Sequence, residues 1–373
     1  MESIIVLYAS YKPNTAPGNR LIAFLRGFDK QGQTAHVYFL WPDEKRSKVC
    51  ESFRNITVHY MWPDKGSNNR YLRFLGGLRN YRRFLKLLKP GDSVFVMGCT
   101  MFIPGLVKKN GIKVYQERTE HPEIVKESPA FIQKNYLASC PKMAGMFVIS
   151  TKLKEVYEDL GGKNVHIVNV VVDSSRFEGL KKATDEKYIA YCGTASNNKD
   201  GVDDLIKAFA IVAKTHPDMK LKIMGKAPTK DDESGNLKLV EQLGVKDKVE
   251  FTGVIPASAM PQMLKNATIV ALARPDSLQA QCGFPTKLGE YLLSANLAVV
   301  TRVGDIPLFL RDKETALLSQ ESNPEEFASK MLWALEHPQE AEAIGRRGAE
   351  VALKEFNYLT ESKKIIDVIT GDK

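Results

Sequence analysis

Short apolar runs alternate with amphipathic helical runs along most of this chain, and the alternation occurs in two successive series. Apolar runs bounded by turn residues are typical of buried strands, and the segments between them carry apolar residues every three or four positions, as helices do. The predicted strands cover residues 4–8, 35–40, 93–97, 113–116, 145–149 and 165–168, and then 188–191, 221–224, 249–251, 268–272, 298–301 and 316–318. The sequence therefore predicts an α/β protein with two doubly wound parallel sheets, each with a crevice at the carboxyl ends of its strands.

A charged stretch without apolar runs, residues 174–187, separates the two series. Domain linkers have this composition. We therefore expect one domain at residues 1–175, a second at 176–355, and a C-terminal helix at 356–373 that crosses back onto the first domain. The length of 373 residues agrees with two domains, because single cores stop growing near about 250 residues.

The net charge of +9 is concentrated in the first half of the chain. Residues 1–180 hold 27 Lys and Arg against 16 Asp and Glu, and the remainder holds 26 against 28. Such asymmetry predicts an anionic partner for one domain, which could be a membrane surface, a nucleic acid or a phosphorylated substrate.

Residues 66–91 lack acidic side chains and combine basic with apolar residues at helical spacing. The pattern predicts a basic amphipathic helix, broken at Gly76-Gly77, that lies on an anionic membrane surface. The side chains expected to face that surface are those of Arg70, Arg73, Arg79, Arg82, Arg83 and Lys86. A core-packed helix with a solvated basic face is the alternative.

No export or membrane-spanning signal is found in the sequence. Residues 1–10 have no basic segment before their apolar run, and the longest stretch without charge, 93–107, is too short and too rich in glycine and proline to span a bilayer. The five cysteines have no metal or redox spacing, which favours a reducing cytoplasm, and we expect Cys50, Cys99, Cys140 and Cys192 to be buried.

The segment from Cys282 to Glu290 forms a loop that enters a helix. Pro285 suits the first helical turn, where its missing N–H is not needed, and the N–H groups of Thr286 and Lys287 would face outward. A helix start of this kind binds anions, and Lys287 adds a positive charge. Glu290, one turn later, is placed to bind ribose hydroxyls. The residues alone thus predict a nucleotide diphosphate site, with an ordinary capped helix as the alternative.

Residues 283–291 resemble the donor-binding helix start of glycosyltransferase family 4. Their sequence is Gly283-Phe284-Pro285-Thr286-Lys287-Leu288-Gly289-Glu290-Tyr291. Further positions match motifs of that family, namely Asn169, Val172-Asp173, Phe177, Gly193 and Lys199-Asp200-Gly201. The resemblance covers most of the chain. It implies a GT-B fold, in which two Rossmann-like domains face each other across a cleft. It also implies an NDP-sugar donor in the second domain, retention at the anomeric carbon and no bound metal, with Lys199 and Lys287 stabilising charge on the leaving diphosphate.

Two positions depart from the family pattern, and both lie at the predicted donor site. Thr194 stands where the family often has Arg, and Cys282 stands where it often has a Glu that contacts the donor sugar. Either the sugar is held differently or its hydroxyl pattern is unusual. Arg274, just after a predicted strand, could supply a substitute cation, with an exposed surface arginine as the alternative.

In the first domain, two groups of residues follow predicted strands. Gly18 and Asn19 open a helix whose N–H groups can approach a phosphate, and the resemblance places a glycine-containing loop here against the donor diphosphate. Glu117, Glu120 and His121 crowd the end of the strand at 113–116. The family that this chain resembles often has an active-site His near this point, so the resemblance makes these residues candidates for orienting the acceptor hydroxyl or the donor sugar. A surface salt-bridge cluster is the alternative.

The resemblance implies a retaining glycosyltransferase that moves a sugar from UDP- or GDP-sugar to a saccharide or lipid-linked saccharide acceptor in envelope polysaccharide assembly. The nucleotide sugar is a co-substrate, and no cofactor is expected. We expect a cytoplasmic enzyme, peripheral on the inner face of the membrane. A non-hydrolysing nucleotide-sugar epimerase has the same fold, and a non-catalytic basic protein that binds membrane or nucleic acid through residues 70–89 is the alternative of another class. Groove-reading motifs are absent from the sequence, so no nucleic-acid partner is expected.

Overall fold

The computed structural model describes residues 2–63, 69–98, 103–126 and 128–371. The chain divides into two compact units, one formed by Met1–Val171 with Tyr358–Lys373 and the other by Val172–Asn357. The expected boundaries lay at 175/176 and 355/356.

The described part of unit 1 contains seven parallel strands in the order β3-β2-β1-β4-β5-β6-β7. The strands are β1 (Ile4–Tyr8), β2 (Ala35–Phe39), β3 (Ile56–Tyr60), β4 (Ser93–Met97), β5 (Lys113–Arg118), β6 (Gly145–Val148) and β7 (Val165–Ile167). The order reverses between β1 and β4, so the crevice of a doubly wound sheet lies at their carboxyl ends.

The helices of unit 1 are α1 (Ala16–Lys30), α2 (Arg70–Leu87), α3 (Ile103–Leu106), α4 (Ala130–Ala138), α5 (Thr151–Asp159) and the C-terminal α15 (Tyr358–Thr370). Helix α15 packs on α1, where Gly27 permits close approach because a Cβ there would lie 2.0 Å from Ser362 Oγ. Ile365, Ile366 and Ile369 of α15 join the core of the sheet. The last helix is therefore part of unit 1.

Two local predictions in unit 1 are wrong. Strand β3 was not expected, because Thr57 and His59 interrupt its apolar residues and it lies at the sheet edge with most positions half-exposed. Helix α2 is continuous through Gly76-Gly77. A Cβ on Gly77 would lie 2.2 Å from the Trp41 ring, so this glycine serves close packing rather than a break.

Unit 2 contains six parallel strands in the order β10-β9-β8-β11-β12-β13. The strands are β8 (Tyr188–Cys192), β9 (Lys220–Met224), β10 (Val249–Gly253), β11 (Ile269–Leu272), β12 (Leu297–Thr301) and β13 (Leu317–Ser319). The helices are α6 (Asn197–Asp200), α7 (Val202–Thr215), α8 (Lys230–Gln242), α9 (Met260–Asn266), α10 (Leu278–Cys282), α11 (Thr286–Leu293), α12 (Ile306–Phe309), α13 (Pro324–Glu336) and α14 (Pro338–Glu355). The order reverses between β8 and β11, which places the second crevice at the ends of these strands.

The predicted fold class is confirmed, since both units are α/β with wholly parallel sheets. Among the described residues, no helix has the length and apolar character needed to cross a membrane, and no group of three or more His, Cys, Asp or Glu side chains could hold a metal ion. Cys140, Cys192 and Cys282 are buried, but Cys50 is exposed, contrary to expectation. Cys99 lies outside the described residues.

Candidate functional site

The first residues of α11 lie at the switch point of the unit 2 sheet. Pro285 precedes the helix, and no side chain caps it, while helix geometry leaves the N–H groups of Thr286 and Lys287 without intrahelical acceptors. The Lys287 ammonium forms an ion pair with Asp200 and lies 3.0 Å from the Tyr191 hydroxyl. Lys287 is 15% exposed and Asp200 is 3% exposed. A shielded positive charge therefore stands at an uncapped helix start.

Glycines let three loops at this end of the sheet approach one another. A Cβ on Gly193 would lie 2.3 Å from Lys287 Nζ, and a Cβ on Gly225 would lie 1.8 Å from the carbonyl oxygen of Gly193. A Cβ on Gly201 would lie 1.8 Å from the carbonyl oxygen of Ala273. The loops after β8, β9 and β11 are thus packed together around Lys287, with no room for a side chain at these three positions.

Burial dominates the electrostatics around Lys287. It lowers the pKa of Lys287 from 10.5, and the Asp200 carboxylate opposes this shift. Burial also raises the pKa of the Cys192 thiol to about 12 and raises the pKa of Tyr191 well above its usual value. Tyr191 and Cys192 are therefore neutral at physiological pH and add no charge to the site.

Glu290 has a partner that the sequence did not suggest. Its carboxylate forms an ion pair with Arg176, and a second guanidinium N–H of Arg176 donates to the carbonyl oxygen of Ala257 at 2.6 Å. Both side chains of the pair are 26% exposed. Glu290 is thus held in a fixed position one turn after Lys287, where the sequence placed a ribose ligand.

The other predicted donor-binding residues differ in exposure. Thr194 is exposed, and its carbonyl oxygen lies 2.6 Å from the Tyr191 hydroxyl. Lys199 lies on α6, half-buried, next to Asp200. Arg274 is wholly buried rather than a surface arginine, and one of its guanidinium nitrogens lies 3.4 Å from the carbonyl oxygen of Gln279.

The segment that leads into α11 is mostly buried. Cys282 is 1% exposed and Phe284 is 6% exposed, where its ring contacts Phe309 and Phe356. Gly283 is half-buried, and a Cβ there would lie 3.0 Å from the carbonyl oxygen of Gln279. The Cys282 position, where the family pattern fails, therefore carries a thiol packed into the interior.

In unit 1, Glu117 is engaged by an arginine from α1. Arg20 Nε donates to Glu117 at 2.7 Å, and both side chains are 8% exposed. The remaining nitrogens of Arg20 donate to the carbonyl oxygens of Asn169 at 2.6 Å and Val168 at 2.9 Å. This network joins α1, β5 and the end of β7, so Glu117 has a structural partner, and its catalytic role stays a prediction.

His121 and Glu120 lie in the segment after β5. His121 caps the 3₁₀ turn Pro122–Val125, with Nδ1 accepting from the N–H of Glu123 at 3.2 Å. The carbonyl oxygen of Glu120 accepts from the Tyr157 hydroxyl at 2.8 Å. Both residues are half-buried, so this segment is ordered by its own cap and by α5.

The predicted phosphate-facing amides of Gly18 and Asn19 are already used in the cap of α1. The N–H of Gly18 donates to Thr15 Oγ1 at 3.2 Å, and the N–H of Asn19 donates to the carbonyl oxygen of Thr15 at 2.8 Å. A Cβ on Gly18 would lie 2.1 Å from the carbonyl oxygen of Lys12. The glycine is therefore explained by the turn that opens α1.

Helix α2 buries one face, and most of its basic side chains lie on the exposed face. Its buried residues are Gly77, Asn80, Tyr81 and Phe84, with Leu88 just after its end. Arg79, Arg82, Arg83 and Lys86 are exposed, while Arg73 is half-buried and lies 3.8 Å from Glu44. The Arg70 side chain lies outside the described part of the chain. Both the core-packed face and the basic face of the sequence analysis are thus present.

The sequence did not pair the predicted site residues with the side chains that order them, which are Asp200, Tyr191, Arg176 and Arg20. Arg20 and Glu117 are 97 positions apart, and Lys287 and Asp200 are 87 apart. The motif Lys199-Asp200-Gly201 contains Asp200, but nothing in the sequence indicates that this acid is buried and paired with Lys287.

The fold is that of the GT-B glycosyltransferases. The solved structure of Anabaena HepE in complex with UDP matches with a TM-score of 0.74 at 14% identity over 100% of both chains. Sucrose-phosphate synthase from Thermosynechococcus elongatus matches with a TM-score of 0.77 at 14% identity, over 100% of this chain and 99% of that one. At such identities the likeness shows the fold alone.

Residues 173–351 match the family "Glycosyl transferases group 1", so unit 2 carries a group 1 glycosyl transferase domain. Mannosylfructose-phosphate synthase of Agrobacterium fabrum is 22% identical over 275 residues, 69% of this chain and 56% of that protein. D-inositol 3-phosphate glycosyltransferase of Segniliparus rotundus is 26% identical over 171 residues, 44% of this chain and 35% of that protein. The matched part of the chain thus spans about half or less of these relatives.

Proposed function

We propose that this protein is a retaining, metal-independent glycosyltransferase that moves a sugar from a UDP- or GDP-sugar to a saccharide or lipid-linked saccharide acceptor. The observation that carries the proposal is the shielded Lys287 ammonium at the uncapped start of α11, at the switch point of a group 1 glycosyl transferase domain. Assembly of an envelope polysaccharide is the process that we expect it to serve.

The start of α11 supplies what a diphosphate requires. Outward N–H groups and the helix dipole favour negative charge there. The Lys287 ammonium adds a full charge at low exposure, where screening by water is weak. The absence of a side chain at Gly193 leaves room for the Lys287 ammonium itself, since a Cβ there would lie 2.3 Å from Nζ.

The same groups would act in the chemical step. Charge develops on the leaving diphosphate as the bond to the sugar breaks, and preorganised donors and cations stabilise it. Lys287 and Lys199 supply this stabilisation in the proposal. Retention then follows from front-face attack, in which a donor phosphate oxygen takes the acceptor proton, so that no protein base is required.

Glu290 fits a ribose ligand because Arg176 fixes its position. A carboxylate held in one orientation loses less entropy when it accepts hydroxyl hydrogen bonds. UDP is the first nucleotide to test, because HepE has been solved with UDP and with UDP-glucose.

We also propose that unit 1 binds an anionic membrane surface through α2. At the start of the helix, Tyr71 is 80% exposed, Leu72 57% and Leu75 56%. Farther along, Arg79, Arg82, Arg83 and Lys86 are exposed. Exposed apolar side chains beside basic ones on one helix suit insertion into a headgroup layer that carries negative charge.

Flotation with phosphatidylglycerol-containing vesicles tests the membrane proposal. The double variant Arg82→Glu with Arg83→Glu should lose at least about tenfold in bound fraction, since each basic residue near such a surface contributes about 1 kcal/mol. Arg346→Glu with Arg347→Glu makes the same charge change on exposed positions of α14 and is the matched control. Equal flotation of the two double variants would exclude α2 as the membrane contact.

The alternative functions have weaker support. An epimerase of this fold needs acid and base groups in unit 1 beyond the Glu117 cluster, and Glu117 itself is bound to Arg20. A nucleic-acid-binding role would need aromatic side chains on a strand platform, whereas those of α2 are on a helix.

Calorimetric titration with UDP, GDP and ADP tests the donor site. Wild type should bind UDP or GDP, and Glu290→Ala should weaken that binding by about ten- to a hundredfold, the range for hydrogen bonds to a charged group. Glu241→Ala removes an exposed, ion-paired glutamate of unit 2 and serves as the control. Failure of all three nucleotides to bind wild type would refute the proposal.

A further inference from the structure

A buried arginine at the carboxyl end of β5 donates hydrogen bonds only to neutral groups among the described residues. Arg118 is 3% exposed. Its Nε donates to Gln116 Oε1 at 2.8 Å, and its terminal nitrogens donate to Cys140 Sγ at 3.1 Å, the carbonyl oxygen of Tyr136 at 3.0 Å and Ser139 Oγ at 2.9 Å. Burying a charge without a counter-charge is costly, so the arrangement calls for an explanation.

One partner of Arg118, Gln116, is itself incompletely hydrogen-bonded. The residue is wholly buried, and its Nε2 has no hydrogen-bond partner among the described residues. An unsatisfied buried donor costs about 1–3 kcal/mol. The side-chain amide is thus oriented for Arg118 at the expense of its own N–H group.

Two tyrosines enclose the guanidinium. Its carbon lies 3.8 Å from the ring centroid of Tyr136 on α4 and 5.1 Å from that of Tyr157 on α5. Cation–π contacts of this kind strengthen when desolvated. Arg118 therefore fixes the two rings, and with them two helices, relative to the end of β5.

The tyrosine hydroxyls connect the Arg118 cluster by hydrogen bonds to the segment after β5. Their oxygens are 2.7 Å apart, and the Tyr157 hydroxyl donates to the carbonyl oxygen of Glu120 at 2.8 Å. Since Tyr157 has one hydroxyl hydrogen, Tyr136 must be the donor between the two. Burial raises the pKa of both tyrosines, so both hydroxyls keep their hydrogen at physiological pH.

We propose that Arg118 and Tyr157 are positioning residues that fix His121 through the carbonyl group of Glu120. The Tyr157 hydroxyl is hydrogen-bonded to Glu120, the residue just before His121. His121 in turn caps the 3₁₀ turn by accepting a hydrogen bond from the N–H of Glu123. The inference rests on the proposed function, in which His121 orients the reacting groups. Removing the one hydroxyl should leave the packing intact and loosen only this segment.

Tyr157→Phe and Tyr136→Phe form a matched pair for the test. Each removes one buried hydroxyl from the same cluster, but only Tyr157→Phe removes the bond to Glu120. Hydrogen exchange at the amides of Glu123, Ile124 and Lys126 should become about three- to tenfold faster in Tyr157→Phe, the effect of one net hydrogen bond, and stay near wild type in Tyr136→Phe. Release of UDP from UDP-glucose should show a lower kcat in Tyr157→Phe, with unchanged affinity for UDP.

The outcomes separate this inference from the proposed function. Unchanged exchange at these amides in Tyr157→Phe would overturn the positioning role, whether or not UDP-glucose is turned over. Faster exchange with unchanged kcat, when His121→Ala lowers kcat, would also overturn it. Unchanged kcat in His121→Ala itself would contradict the role assigned to His121, and the error would then lie in the proposed function.

Discussion

Lys287 of unit 2 and Arg118 of unit 1 are both shielded cations at the carboxyl end of a sheet, but the two are stabilised differently. Lys287 of unit 2 is paired with an aspartate, stands at a helix start and is 15% exposed. Arg118 of unit 1 has neutral acceptors and two aromatic rings around it and is 3% exposed. The lysine lies where an anionic ligand can reach it, whereas the arginine is enclosed on all sides by protein groups.

The difference indicates which cation binds a ligand. A lysine with a carboxylate partner can exchange part of that interaction for a diphosphate, because both are anions with oxygen acceptors. A planar guanidinium whose N–H groups are used by Gln116, Ser139 and Cys140 has little left to offer. We therefore assign ligand binding to Lys287 and internal order to Arg118.

The largest expected effect is on the folding of unit 1. Arg118→Met keeps the length of the side chain but leaves its buried acceptors without donors, and each buried acceptor left unsatisfied costs about 1–3 kcal/mol. Urea unfolding of the variant should show this loss, while its affinity for UDP at low urea should match wild type. If Arg118→Met lost UDP binding but kept its stability, the assignment of Arg118 to internal order rather than to ligand binding would be wrong.

A smaller effect, on UDP affinity, is expected from a substitution that fills the space next to the Lys287 ammonium. In Gly193→Ala the added Cβ would lie 2.3 Å from Lys287 Nζ at a backbone φ of +144°. Overpacking costs about 1–3 kcal/mol, and we expect UDP affinity to fall by about ten- to a hundredfold. Gly235→Ala is the control, because a Cβ there meets nothing within 4 Å. Equal UDP affinity of both variants by calorimetry would show that Lys287 does not need this space.

The smallest expected effect is a pH dependence confined to unit 2. Burial lowers the pKa of Lys287 from 10.5, with Arg274 acting in the same direction and Asp200 and Cys192 opposing it. As the pH is raised, the ammonium therefore loses its proton at a lower pH than an ordinary lysine does. UDP affinity should accordingly begin to fall before the rising pH reaches 10.5. Arginine does not titrate in this range. A flat affinity profile up to that pH would argue that Lys287 takes no part in binding.

Much of the fold follows from the sequence because strand and helix periods are local. The strands at 4–8 and 93–97 and the α11 start at Pro285 could be placed from single runs of residues. Strand β3 could not, because an edge strand lacks the continuous apolar run of a central one. The unbroken α2 depends on the contact of Gly77 with Trp41, which no local rule contains.

The candidate site was predictable in its residues but not in its pairings. Lys287 and Glu290 stand out because charged residues open an otherwise apolar helix. Their partners Asp200 and Arg176 come from distant positions, so only the tertiary structure reveals them. The same holds for Arg20 and Glu117, and the pairing makes Glu117 part of the scaffold of unit 1.

The central claim is that Lys287 binds the donor diphosphate, and UDP titration of Lys287→Met against Lys246→Met tests it directly. Both lysines form an ion pair in unit 2, but Lys246 lies on the surface, paired with Glu241. We predict that Lys287→Met weakens UDP binding by about ten- to a hundredfold, the range for a charge-assisted hydrogen bond, and that Lys246→Met binds UDP like wild type. Equal, wild-type-like affinity in both variants would contradict the account.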